Sequence, residues 1–343
     1  RTHIELDEGM GPTSQARADT TGVLPSASGL PPPFRSRKGL AANLSTGDRR
    51  VNPGRACKTT NVVYTLQEEG TTCPPDDIAP SSYRAAINSD EAAEWRRAIR
   101  TELSTLQTER KCWRFVPYPT RGTPILRCHF IFKKKKHLGQ VVRFKARLVV
   151  DGSGQKKGIN FSETFAPVVK YATFRVFCAI CALHGLFIHQ LDVKNAFIYA
   201  PLEEVVYMYA HDEMQAPAGM VCLLLRSLYG LKQAPRNWNG HLHDFIMEIG
   251  FHQTPQDSCL YVHSIDDHIV FMAVFVDDIL LASRSDRTLA HVKKQFQDRF
   301  TMTDEGLAQE FLGVRIFQGT GTVSLDQQHY CETIVRDFQN YIG

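Results

Sequence analysis

The stretch Phe271-Met-Ala-Val-Phe-Val-Asp-Asp-Ile-Leu-Leu-Ala282 sets two adjacent carboxylates inside an apolar run. Six apolar residues precede Asp277 and four follow Asp278. Such a run, broken once, reads as two buried strands joined by a tight turn with both acids at the tip. Neighbouring carboxylates beside a core repel each other and lose hydration, which is costly unless something neutralises them. A divalent cation is the simplest neutraliser, and hard cations such as Mg²⁺ take carboxylate oxygens. A plain polar hairpin turn fits the same residues, and this segment alone leaves both readings open.

A second stretch bears on that choice. His189-Gln-Leu-Asp-Val-Lys-Asn-Ala-Phe197 puts Asp192 at the end of the apolar run Leu186–Leu191, as a strand ending in an acid. One carboxylate from this strand and two from the later hairpin make a three-acid constellation. Two-metal sites for in-line phosphoryl transfer are assembled in this way, with the ions about 3.5–4 Å apart.

The chain of 343 residues is long enough for one large or two medium domains. Its hydrophobic fraction, 43%, is slightly low, and a polar tail accounts for that. Residues 1–80 are rich in Gly, Pro, Ser, Thr and Arg and are expected to form a disordered tail or linker, with one short isolated strand over Asn61–Thr65. A formal charge of +4 is too small to define a nucleic-acid surface, so any such surface must come from local clustering. No apolar run approaches the length of about 18 residues that a membrane helix needs. Of the nine cysteines, Cys178 and Cys181 form a C-x-x-C in an apolar helical stretch; with no second pair they read as core rather than zinc ligands.

Beyond the tail, helices alternate with antiparallel hairpins, an α+β pattern rather than a doubly wound parallel sheet. A helix capped by Ser89 or Asp90 carries Trp95, Ile99, Leu103 and Leu106 on one face. A hairpin over 125–150 turns near Gly139, and its Lys133–Lys136 run serves either a solvated tip or template phosphates. Arg143, Lys145 and Arg147 share one strand face, where they meet either an anion or nearby acids. Asp151–Gly158 is glycine-rich but lacks phosphate-loop spacing, and reads as a flexible loop. Helices are expected over 172–185, from about Arg236, and over 289–300.

Seven segments in order carry a resemblance. They are Glu94–Leu106, Phe144–Val149, Gly158–Val169, Gln190–Phe197, Ser227-Leu-Tyr-Gly-Leu-Lys-Gln-Ala-Pro-Arg236, Phe275–Asp278 and Phe311–Ile316. Together they resemble the reverse transcriptase of Ty1/copia-type LTR retrotransposons, over roughly residues 85–340. Four departures stand out. Phe275 replaces the usual tyrosine; Ile198-Tyr-Ala-Pro-Leu202 replaces Leu-Asn-Gly-Asp-Leu; Cys128 follows Arg127 where Trp is usual; and the chain starts at Arg1 with no ribonuclease H region after the last motif. The first three keep the carboxylates and so bear on efficiency rather than chemistry. The last leads to the expectation of a polyprotein fragment or an incomplete genomic copy.

The resemblance implies the right-hand polymerase fold: fingers over about 85–185 and 203–260, palm over 186–202 and 261–316, and the start of a thumb over 317–343. It implies a nucleotidyltransferase that joins dNTPs to a primer 3′-hydroxyl on an RNA or DNA template, with two Mg²⁺ (or Mn²⁺) ions. Asp192, Asp277 and Asp278 are the expected catalytic residues and metal ligands, with the backbone carbonyl of Val193 as a further ligand. Lys145 and Arg147 are expected at the triphosphate, Phe197 under the sugar (or in the core), and Gln233 at the incoming nucleotide. Phe275, Phe311, Leu312 and Gly313 are expected at the primer. Implied partners are other polyprotein parts such as integrase and ribonuclease H, with no membrane. The implied location is intracellular, in a cytoplasmic virus-like particle for an active element. The alternative is an inactive fragment that keeps the fold and binds nucleic acid. A metal-dependent glycosyl- or phosphotransferase is more remote, because it leaves Ser227–Arg236 unexplained.

Overall fold

The structure, a computed structural model, describes residues 79–137 and 140–342. The expected strand at Asn61–Thr65, the turn glycine Gly139 and all but the last two residues of the expected tail lie outside the described residues.

The acid-bearing strands lie inside a six-stranded antiparallel sheet. Its order is Met302–Leu307, Phe187–Val193, Asp278–Ser283, His268–Phe275, Leu260–Ile265 and His252–Gln253. The sheet thus takes in His252–Gln253 and Leu260 as well as the strands that follow residue 261. Its inner strands read as near-continuous apolar runs because both faces are covered. On one face, Leu191, Val193, Ile279, Leu281, Met272 and Val274 meet the helices Ala234–Glu248 and Asp286–Arg299 through Trp238, Phe245, Leu289 and Phe296. On the other face, Ile188, Leu280, Ala282 and Ala273 meet the helix Tyr171–His184 and the hairpin Val314–Gly319/Thr322–Asp326. The period of two along each strand sorts its side chains between these two cores. Cys178 and Cys181 are buried in the second core.

The strands Cys128–His137 and Gln140–Val150 form a separate two-stranded sheet. The helix Ala92–Leu103 packs on it: the Trp95 ring lies edge-on to Phe144 at 4.7 Å and to Phe132 at 5.2 Å. The cap of this helix differs from the sequence expectation. Neither Ser89 nor Asp90 caps it; Glu91 occupies the cap position without a side-chain cap bond and pairs with Lys134 at 2.7 Å. Ser89 instead donates to the Ala86 carbonyl, closing the preceding short helix Tyr83–Ile87.

The loop after the basic strand is tied down rather than free. Asp151 accepts from Ser153 N, and Gln155, buried, donates to Asn160 O and accepts from Lys232 N. Gly230, at φ 93°, sits where a Cβ would fall on the Val150 carbonyl oxygen, so only glycine lets Tyr229 and Gly230 pack this close to the strand end. The contact is sealed by a bond from Val150 N to Tyr229 O, 2.8 Å.

Candidate active site

Strand register brings the three acids together. Asp192 lies directly opposite Asp278, and Val193 N donates to Asp277 O at 2.9 Å. The hairpin carrying the pair has two loop residues, Val276 and Asp277, between the partners Phe275 and Asp278. Val276 has φ 56° and Asp277 does not share that region, the backbone of a type II′ turn. Glycine usually takes this position, and a β-branched residue here stores on the order of 1–3 kcal/mol. Trp238 Nε1 holds the turn by donating to Val276 O at 2.7 Å.

Burial pushes the Asp277 carboxyl above its ordinary range, and the Asp192 charge adds to this; Arg147 and Lys145 pull the other way. Burial is also the main reason the Asp278 carboxyl rises to about 6, reinforced by Asp277, Asp192 and Glu305 and opposed by a hydrogen bond from Gln190 Nε2, 3.2 Å. Among the described residues, none of the three acids has a cation within ion-pair distance. Nor, among the described residues, do three or more Asp, Glu, His or Cys side chains converge closely enough to grip an ion as they stand. The donor set nevertheless fits a hard divalent cation: oxygens only, crowded, partly buried and without a counter-charge. Directly opposed residues lie about 4.5–5.5 Å apart at Cα, so the register alone sets the Asp192 and Asp278 backbones side by side.

Facing the acids is the basic strand. Lys145 is held down to about 8, first by burial and then by the charges of Arg147 and Lys135. The Arg147 guanidinium lies over the Tyr229 ring, 4.3 Å from its centroid, and Tyr229 meets Phe197 edge-on at 4.9 Å. Phe197 stands on the 3₁₀ turn Ala196–Tyr199 that follows the Asp192 strand. Behind the basic strand is Glu102, buried on the apolar face of its helix, whose Oε1 accepts from Leu148 N at 3.3 Å. Burial raises the Glu102 carboxyl, and Arg147 and Lys145 oppose the rise.

Several expected site residues lie elsewhere. Gln233 is only 1% exposed. Its Oε1 accepts from Gln155 Nε2 at 2.9 Å, while its Nε2 donates to Asn160 O at 2.9 Å and Glu204 Oε2 at 3.2 Å. All its amide bonds are made within the chain, so it clamps the 151–161 loop rather than facing a nucleotide. Phe311 is likewise a core residue, against Phe174 at 5.2 Å, and its ring is not available to a primer. Leu312 and Gly313, at φ 55° and 70°, are the two loop residues of the tight hairpin in which Phe311 pairs with Val314. Gly313 has open space where a Cβ would be, so it serves the backbone angle and not a close approach. Phe275 is half-buried, edge-on to Phe311 at 6.3 Å. Val193, by contrast, lies at the acids: its side chain is buried and its N–H donates to Asp277 O, which sets its backbone beside the acid turn.

The sequence reading missed Tyr229 and Glu102. Glu102 was discoverable: an acid three residues after Ile99 and beside Leu103 sits on the apolar face of a helix. Tyr229 was quoted only as part of a motif, and no spacing marks it out. The departure at Tyr199 is absorbed by the fold: its hydroxyl accepts from Arg110 Nη2 at 2.7 Å and from Thr301 N at 2.6 Å.

With this geometry in place, the comparison with known families is direct. The chain belongs to the reverse transcriptase (RNA-dependent DNA polymerase) family, whose model matches residues 110–341, and within it to the copia-type retrotransposon domains. It is 35% identical over 269 residues to the retrovirus-related Pol polyprotein from transposon TNT 1-94 of Nicotiana tabacum, covering 77% of this chain and 20% of that one. It is 34% identical over 261 residues to the Pol polyprotein from transposon RE1 of Arabidopsis thaliana, covering 74% of this chain and 17% of that one. The chain therefore spans about a fifth of the length of the plant polyproteins it matches. Among solved structures, it is similar to the foamy viral protease-reverse transcriptase in complex with dsDNA, at 14% identity and a TM-score of 0.39, covering 70% of this chain and 43% of that one.

Proposed function

We propose that this chain polymerises DNA on an RNA or DNA template, adding dNTPs to a primer 3′-hydroxyl. The observation that carries the reading is the register that sets Asp192 against Asp278, with Asp277 at the turn and a basic strand facing them. Asp192 and Asp277, with Asp278 as a weaker ligand, would hold two divalent cations, Mg²⁺ or Mn²⁺. When bound, the ions supply charge neutralisation at the attacking and leaving oxygens. The chain's own residues do the rest. Arg147 and Lys145 meet the triphosphate as charge-assisted donors, fixing it in line with the primer end. Burial keeps Lys145 near its titration point, and a triphosphate at its side would favour its charged form. The Phe197 ring, on the turn that follows the Asp192 strand, would pack under the sugar and exclude a 2′-hydroxyl. Pyrophosphate leaves on the side of the basic strand.

Primer extension on a primed RNA template with Mg²⁺ tests this. The wild-type chain should extend the primer, and Asp277→Asn should lower the rate on the order of 10³-fold or more. Extension that survives the substitution refutes the reading. Primer-template binding without incorporation at any Mg²⁺ or Mn²⁺ concentration identifies a remnant that has kept the fold alone.

A further inference from the structure

Three elements distant in sequence meet at one ring. Tyr229 follows the strand Met220–Leu224, Arg147 lies on the strand Gln140–Val150, and Phe197 on the turn after the Asp192 strand. Arg147 covers the face of Tyr229 at 4.3 Å, and Phe197 approaches it at 4.9 Å with 63° between the ring planes. The Tyr229 backbone is pinned by Val150 N and by the glycine-dependent fit at Gly230. Burial pushes the Tyr229 phenol up, Arg147 opposes this, and the Asp277 charge reinforces it. By contrast, the expected nucleotide contact, Gln233, is buried with its amide bonds made inside the chain.

We infer that Tyr229 is a specificity-determining residue that couples the triphosphate-binding guanidinium of Arg147 to the sugar-discriminating ring of Phe197. The inference rests on the polymerase reading above and names the residue through which its two nucleotide subsites communicate. The chemistry is direct. A guanidinium stacked on an aromatic face keeps its edge N–H groups pointing outward in a fixed plane, matched to phosphate oxygens. The same ring presses on Phe197 edge-on, an arrangement aromatic pairs favour, and so limits how far Phe197 can yield to an extra hydroxyl. Loss of the ring should therefore loosen phosphate binding and sugar choice together.

The test uses the full chain with a primed RNA template. It measures single-nucleotide incorporation and, separately, equilibrium binding of dTTP and UTP. Tyr229→Leu is expected to raise KM for dTTP roughly tenfold and to cut the preference for dTTP over UTP roughly tenfold, with kcat changed by less than about threefold. Tyr229→Phe keeps the ring and loses the hydroxyl; it should keep the preference and raise KM about two- to threefold. Arg147→Lys keeps the charge but loses the stacking plane, and it too should weaken the sugar preference although Arg147 touches no sugar. Wild-type KM and preference in Tyr229→Leu overturn the inference. So does an unchanged preference in Arg147→Lys, which serves where Tyr229→Leu does not melt cooperatively. A wild-type chain that incorporates nothing defeats the polymerase reading, while the ratio of dTTP to UTP binding in the variants still decides the role of Tyr229.

Discussion

The acid hairpin and the basic hairpin solve opposite electrostatic problems differently. The basic strand Gln140–Val150 brings its own compensation: Glu102 lies behind it and Tyr229 lies under Arg147. The acid hairpin has less: Arg147 and Lys145 offset only part of what burial does to Asp277. Asp277 and Asp278 are raised mainly by burial, and Gln190 offers only a neutral hydrogen bond. The acid side is thus the less compensated of the two as folded. On the proposed polymerase reading, the acids would take cations and the basic strand would take phosphate.

The largest expected effect falls on the less compensated side, where Asp277→Asn should remove on the order of 10³ in incorporation rate. Next comes the better compensated side. Arg147→Met should weaken dNTP binding about 10- to 100-fold, the worth of a charge-assisted bond of about 1.5–3 kcal/mol, as read from KM. If both substitutions cost only binding, the contrast between the hairpins collapses. Trp238→Phe tests how the acid turn is held. It leaves Val276 O without its donor and opens a small void, so a loss of about 2 kcal/mol is expected in denaturant melts.

The smallest effect sharpens the contrast through pH. The Glu102 carboxyl is raised in the fold above its usual 4.5, so the folded chain holds a proton that the unfolded chain has released. Its contribution to stability therefore falls as pH rises from about 4.5. Glu102→Gln lacks that loss. Between about pH 4.5 and 6.5, below the range in which Lys145 titrates, the variant's melting temperature should gain on the wild type as pH rises. A gain in the opposite direction would mean that Glu102 is held charged by Arg147 and Lys145 more strongly than burial disfavours it.

The acid run was legible because ten apolar residues around two charges admit few folds, and helical faces such as Trp238, Leu242 and Phe245 follow the 3.6 period. Pairing of Asp192 with Asp278 rests on register, which a single strand does not carry. Gln233 is buried with its amide hydrogen bonds made inside the chain, for a physical reason. A polar amide just before a helix reads as a ligand contact, but here its partners Asn160 and Gln155 lie more than seventy residues away. Phe311 beside a glycine fits a surface grip and a core equally well; only the packing of Phe174 on it decides. The missing cap at Ser89 has the same origin: Glu91 found Lys134 across the fold, and a local pattern does not see that partner.

Val276 carries a last consequence. A valine twisted into the left-handed region has few other shapes within reach once its neighbours are fixed, and an indole bond locks its carbonyl. The backbone that carries Asp277 and Asp278 is thus fixed during folding, and only their side chains are left to turn. The backbone entropy that such a turn would otherwise lose on binding a ligand has already been given up during folding.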